Sequence, residues 1–134
     1  MTAVVDASIA VKWVLPEPGS ERAAALRAAD EDLIAPALVC AEIGSAIWRA
    51  VIRGDVTAAE ARVHLQVAVA HYERLVSLEE LADSAMQRAT RLRHPIYDCF
   101  YLALAEREDC PLITADRRLI NAANAIKGLD VRPL

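Results

Sequence analysis

Aromatic residues are scarce in this chain, at 4% of the sequence. The core must therefore be built from aliphatic side chains and alanine. Cysteine is nearly missing too. Cys40, Cys99 and Cys110 are an odd number and form no C-x-x-C pair, which leaves no disulfide framework and no thiolate zinc site. They read as reduced, buried thiols. Positive charge is not in excess: 15 basic residues face 19 acidic ones, a formal net charge of −4. A protein that coats nucleic acid electrostatically carries the opposite balance, so any nucleic-acid contact must be local. No uncharged apolar run approaches the ~18 residues of a membrane span. The first residues lack a basic segment followed by a long apolar stretch, so we expect no signal peptide and a cytoplasmic location. Low-complexity tracts, internal repeats and obvious linkers are absent.

What remains is a chain of 134 residues, 55% hydrophobic and 25% charged. That suits one folded domain spanning residues 1–134. Short apolar segments alternate with helical patterns. Ala3–Val5, Leu33–Ala35 and Leu112–Thr114 read as buried strands, with Leu75–Leu78 and Val131 as weaker candidates. Helices are expected from Ser8 to about Leu15, Ser20 to about Ala29, Ala37 to Arg53 after an opening Pro36, and Thr57 to about Arg74. Thr57 and Glu60 form a capping box for the last of these. Further helices are expected over Glu79–Arg93, from Pro95 to about Glu106, and from Asp116 to about Ile126. Strands alternating with helices imply a mainly parallel sheet covered on both faces. Ligands bind such sheets outside the carboxyl ends of the strands, where Asp6 and Asp116 fall.

Four acids stand out because they lie among core-forming residues. Asp6 ends Ala3-Val4-Val5, and Glu42 interrupts Ala37-Leu38-Val39-Cys40-Ala41 and Ile43. Asp98 sits between Ile96-Tyr97 and Cys99 to Ala105, and Asp116 follows Pro111 to Ala115. Alone, Asp6 and Asp116 serve equally well as helix caps, and Glu42 reads better as a half-exposed residue on the shoulder of its helix stripe. Asp98 shares a helical face with Tyr101, Leu102 and Ala105, and that face should meet the core. A carboxylate buried without a partner costs several kcal/mol, more than the ~0.3–1 kcal/mol a helix amino end returns.

Taken together, the acids make a stronger statement. If they converge to ~6 Å, each pair repels by about 3 kcal/mol at an effective dielectric of ~20, and the six pairs by roughly 15 kcal/mol. That is comparable with the stability of a whole domain. Such a cluster must either protonate or hold cations. Oxygen-only ligands favour Mg²⁺ or Mn²⁺ over Zn²⁺. Ser8 and Thr114, beside two of the acids, are placed to hold a carboxylate, a metal-bound water or a phosphate oxygen, or simply to cap.

These pieces resemble the PIN-domain family, and within it the small VapC-type toxins of toxin–antitoxin pairs. The resemblance is carried by Val4-Val5-Asp6-Ala7-Ser8 with Lys12-Trp13, by Pro36 to Glu42 with the basic positions before Gly54, by Tyr97-Asp98-Cys99-Phe100-Tyr101-Leu102-Ala103-Leu104-Ala105, and by Leu112-Ile113-Thr114-Ala115-Asp116 with Leu119. It implies a three-layer α/β/α sandwich and an endoribonuclease dependent on Mg²⁺ or Mn²⁺, paired with a cognate antitoxin. Asp6, Glu42, Asp98 and Asp116 match the family's acidic quartet and take its catalytic and metal-holding role. Ser8 and Thr114 match its supporting hydroxyls. In that chemistry a carboxylate-held ion lowers the pKa of water for attack on a phosphodiester.

Lys12, Arg49, Arg117 and Arg118 are the candidates for positioning RNA phosphates, with Arg53, Arg91 and Arg93 behind them. No histidine is required; His64 and His71 read as surface residues and His94 as a helix-start residue. Trp13 and Trp48 read as packing residues. The apolar positions Trp48, Val51, Ile52, Val63, Val67 and Val69 exceed what a small core absorbs, so a homodimer is expected. Competing readings are a flap-type DNA nuclease, for which the chain is short, and a non-catalytic module retaining the fold. A phosphatase lacks its second Asp after Asp6-Ala7-Ser8.

Overall fold

Thr2–Val5, Asp32–Pro36, Arg74–Val76, Leu112–Thr114 and Val131–Pro133 form strands β1 to β5 in a computed structural model that describes residues 1–134. The strands lie in the order β3-β2-β1-β4-β5, and every neighbouring pair is parallel. Val4 and Val5 stand beside Leu112 and Ile113, while Ala3 and Val4 stand beside Leu33 and Ile34. These central residues are nearly or fully buried, as expected for apolar runs without alternation.

Seven helices make the connections. They are α1 (Ala7–Val11), α2 (Ser20–Ala28), α3 (Val39–Ile52), α4 (Ala58–Ala70), α5 (Leu78–Leu92), α6 (Ile96–Glu108) and α7 (Arg117–Asn124). Right-handed crossovers between parallel strands put α1 to α4 on one face of the sheet and α5 to α7 on the other, and α3 packs on α1 and α4 while α5 packs on α6. The result is the expected three-layer sandwich. A single core holds both layers, with Ile9, Ile34, Ile43, Leu102, Leu104 and Leu119 almost fully buried. Each such side chain contributes about 1.5–3 kcal/mol. The core is aliphatic, but Trp13 joins it, donating from Nε1 to the Ala23 carbonyl at 2.9 Å and packing on Tyr72.

Several expected boundaries shift for identifiable reasons. Ser8 does not cap α1; Asp6 occupies the cap position and Ser8 lies inside the helix. The helix is also shorter than expected and gives way to turns before Leu15. Pro36 does not open α3. It is the last residue of β2, opposite Val76, where its missing N–H costs no ladder bond because the Ala37 N–H continues the ladder to the Val76 carbonyl. The capping box at Thr57 and Glu60 is present, but α4 stops at Ala70 rather than near Arg74. The Glu73 N–H bonds the Leu33 carbonyl and the Tyr72 hydroxyl bonds the Val5 carbonyl at 2.9 Å, so this segment joins the sheet. His71 stands edge-on to Trp13 at 5.5 Å instead of lying free on a helix surface. No helix is long and apolar enough to cross a membrane.

Candidate functional site

The chain leaves β1 in one direction, toward β2, and β4 docks on the other side of β1. The crevice between the carboxyl ends of β1 and β4 is therefore the switch point of the sheet, the usual ligand position in open α/β folds. Asp6 follows β1 directly and Asp116 stands just past β4. The two are stitched together. Oδ2 of Asp6 accepts from Ser8 Oγ and from Thr114 Oγ1, both at 2.7 Å. Thr114 Oγ1 in turn accepts the Asp116 N–H at 2.9 Å, and Ser8 Oγ accepts the Ala115 N–H at 3.0 Å. Thr114 is completely buried, so its hydroxyl is committed to this bridge.

Glu42 and Asp98 arrive from opposite layers. Glu42 is in the first turn of α3 and Asp98 in the first turn of α6. Asp6 and Asp116 are the N-cap residues of α1 and α7. All four acids thus sit at helix amino ends, where the backbone dipole favours negative charge. The electrostatics tie them into one neighbourhood. Burial pushes Asp6 above the usual carboxylate range; Thr114 and Ser8 pull it back, and Asp116 and Asp98 push it up again. Glu42 is pushed to about 7, first by burial and then by the charges of Asp6, Asp98 and Asp116, against a hydrogen bond from Tyr101.

Each acid commits one oxygen to the protein. Asp6 uses Oδ2 as described. Glu42 Oε1 accepts from the Tyr101 hydroxyl at 2.5 Å. Asp98 Oδ2 lies 2.7 Å from His94 Nε2. Asp116 Oδ1 accepts the Arg118 N–H at 2.9 Å, capping α7. The second oxygen of each has no protein partner, and none of these is an unsatisfied atom sealed from solvent. No Lys or Arg side chain pairs with any of the four. As they stand, no three His, Cys, Asp or Glu side chains close on a common point. Each carboxylate has its own anchor, and the four make a loose ring of coupled charges rather than a closed cage. In donor chemistry, oxygen ligands of this kind suit a hard cation that keeps several of its own waters, as Mg²⁺ does, rather than one enclosed by protein ligands.

Two residues of this neighbourhood escape the sequence reading. His94 contacts Asp98, and its i, i+4 spacing across the α6 start was the available signal. Tyr101 is fully buried and holds Glu42 from 59 positions away, a contact without a local signature. Burial and the charges of Asp6 and Glu42 push its phenol well above the usual range, so it stays a proton donor. The candidate phosphate contacts divide. Lys12 and Arg117 line one cavity and Arg118 lines another with His94. Arg49 turns along α3 to bond Ser45. Trp48 is 60% exposed and flanks an apolar groove between α3 and α4 with Ile47, Val51 and Leu65.

A family model described as PIN domain matches residues 3–125. Ribonuclease VapC9 of Mycobacterium tuberculosis is 34% identical over 132 residues, covering 97% of this chain and 98% of that protein. Ribonuclease VapC3 of Pyrobaculum aerophilum is 31% identical over 121 residues, covering 89% and 92%. The crystal structure of VapBC2 from Rickettsia felis bound to a DNA fragment from their promoter matches the fold with a TM-score of 0.70 at 14% identity, over 100% of this chain and 99% of that one. With the acids standing at the switch point of such a sheet, the chain belongs to the PIN-domain family and, within it, to the VapC ribonucleases.

Proposed function

We propose that residues 1–134 form a single nuclease domain, an Mg²⁺- or Mn²⁺-dependent endoribonuclease that is the toxin of a toxin–antitoxin pair in the cytoplasm. Asp6, Glu42, Asp98 and Asp116 hold the ion. The observation that carries this reading is the ring of four carboxylates, each with a free oxygen and none with an Arg or Lys partner. A divalent cation bound there supplies Lewis acidity, lowering the pKa of water and neutralising charge on a phosphodiester.

The protein's own groups set the geometry. Ser8 and Thr114 fix Asp6 by two hydroxyl bonds to one oxygen, which leaves the other without a protein partner and free for the ion. Tyr101 does the same for Glu42, and His94 for Asp98. Such partners of ligating groups commonly govern metal affinity. Lys12, Arg117 and Arg118 hold RNA phosphates, anchoring the strand against the negative field of the acids, and Arg49 joins them by exchanging its Ser45 contact for a phosphate. The names of the relatives, ribonucleases all, support RNA as the substrate.

The exposed apolar face of α3 and α4, with Trp48, Ile52, Val63 and Val67 open to solvent, supports a protein partner: a cognate antitoxin, a second copy of the chain, or both. Light scattering on the isolated chain tests the homodimer, and a monomer at high concentration removes it.

Total RNA incubated with the protein and Mg²⁺, beside Asp6→Asn and beside matched single-stranded DNA, is the direct test. We expect cut RNA with the parent chain only. Cleavage of DNA in preference to RNA, or cleavage that survives Asp6→Asn, overturns the reading. Mg²⁺ or Mn²⁺ should also raise the melting temperature and bind saturably.

A further inference from the structure

The amino end of α7 is a ridge with a cavity on either flank, and Asn121 lines both. The flank facing α1 and α2 is unusual for an acidic protein. Its cavity of ≈ 460 Å³ is lined by Lys12, Arg22 and Arg117 together with Ala115, Asn121 and Leu134. Arg22 and Arg117 pair with no carboxylate, and Lys12 meets only Glu17, at 3.5 Å. Gly19 forms part of the wall in a left-handed conformation (φ +91), with the Lys12 and Arg22 side chains close beside it. Three cations lining one cavity make a local positive patch in a chain of net charge −4, and such a patch suits an anion. The opposite flank, ≈ 380 Å³, offers Arg118 and His94 against an apolar floor of Leu92, Ala122 and Ala125.

We propose that the cavity of Lys12, Arg22, Arg117 and Asn121 is a nucleotide subsite, holding the RNA phosphate that adjoins the scissile one. This deepens the nuclease reading and rests on it. The cavity adjoins the acid ring through Ala115, which stands between Thr114 and Asp116 and whose N–H is bonded by Ser8. In the proposed complex the strand passes from the cavity over Ala115 to reach the carboxylates. The volume lies within the range of about 300–1,000 Å³ usual for small-ligand sites. Asn121 supplies both a donor and an acceptor for a base edge or a 2′-hydroxyl, and Leu134 and Ile120 supply an apolar wall for the sugar or base. The arrangement also solves an electrostatic problem. Four carboxylates repel a polyanion, so the strand needs cations immediately beside the cut and not over the whole surface.

The test is RNA binding by fluorescence anisotropy against salt concentration, in Mg²⁺, on the full chain carrying Asp6→Asn to silence cleavage. The probe is a short labelled single-stranded RNA. Each lost phosphate contact flattens the slope of log K against log salt by about 0.7 for single strands. We expect that flattening, with several-fold weaker binding, for Arg22→Ala and for Arg117→Ala. Arg22→Lys keeps the slope, and Arg107→Ala, at the far end of α6, leaves binding and slope unchanged. Thermal melts accompany every variant, and Arg22→Gln replaces Arg22→Ala if the latter does not fold. An unmoved slope in Arg22→Ala or Arg22→Gln, or absence of RNA binding by the parent, overturns the subsite. Cleavage by the wild-type chain that depends on Asp6, together with an unmoved slope, sinks the subsite alone. A flattened slope without such cleavage overturns the nuclease reading and, with no scissile phosphate to adjoin, the subsite as placed here.

Discussion

The two ends of α6 treat acidic residues in opposite ways. At its carboxyl end, Glu106 pairs with Arg88, and Glu108 pairs with Arg74 and Arg107. At its amino end, Asp98 meets only His94, and the neighbouring Asp6, Glu42 and Asp116 meet hydroxyls and backbone N–H groups. The protein has 15 basic residues to distribute. At one end of α6 they pair with acids, and at the other none pairs with a ring carboxylate. Structural ion pairs need both charges in the chain. A site for an external cation needs one of them missing.

The sharpest way to break this contrast is to remove charge from the ring. Asp6→Asn should lower RNA cleavage by about a hundredfold or more, on the scale of losing one preorganised electrostatic group. It should also raise the melting temperature of the metal-free protein, because a repelled, buried charge has gone. A variant that cleaves normally, or that loses stability without metal, contradicts the assignment.

A smaller effect is expected one step out. Tyr101→Phe leaves Glu42 without its donor and should weaken Mn²⁺ binding roughly tenfold, as losses of a ligand's hydrogen-bond partner do. Titration calorimetry reads it. Unchanged Mn²⁺ affinity would make Tyr101 a packing residue only.

The third expectation concerns pH. Glu42 is raised from 4.5 to about 7, and Asp6 is raised as well. A raised carboxyl is protonated more readily in the fold than in the unfolded chain. Its contribution to stability is therefore complete below the unfolded value and is lost as pH climbs through the folded one. The melting temperature of the metal-free protein should fall between about pH 4.5 and 7 for Glu42. Glu42→Gln should flatten that fall, and saturating Mg²⁺ should oppose it. A melting temperature that rises steadily across this window would contradict the account.

The smallest effect belongs to the paired end. Arg74→Ala breaks an exposed pair with Glu108 and should cost about 0–1 kcal/mol, with cleavage unchanged. Loss of activity there would erase the distinction between the two ends.

Much of the fold is visible in the linear chain because its signals are local. Leu112–Thr114 is a strand with the expected bounds, and the Thr57–Glu60 box caps α4 as its spacing requires. The family was legible because the four acids occur within short apolar frames in a fixed order. Failures come where distant groups decide the outcome. The end of α4 is not legible locally because the carbonyls of Leu33 and Val5 tie residues 72 and 73 against the sheet ahead of β3. Pro36 has the local pattern of a helix opener, and its strand neighbour Val76 is 40 residues away in the chain. Tyr101 holds a core position in the helix pattern and in the fold, but its hydroxyl partner Glu42 lies on another layer. In the ring itself, sequence located the acids and the hydroxyls of Ser8 and Thr114. It did not locate the anchors that orient Glu42 and Asp98.

The strand order carries a last implication, for dissecting the chain. β1 and β4 are neighbours in the sheet, yet they come from residues 2–5 and 112–114. A fragment ending before β4 lacks Asp116, one of the four acids, and leaves β1 with an open edge. Any cut between Asp6 and β4 therefore divides the acids between two pieces, and neither piece alone carries the proposed centre.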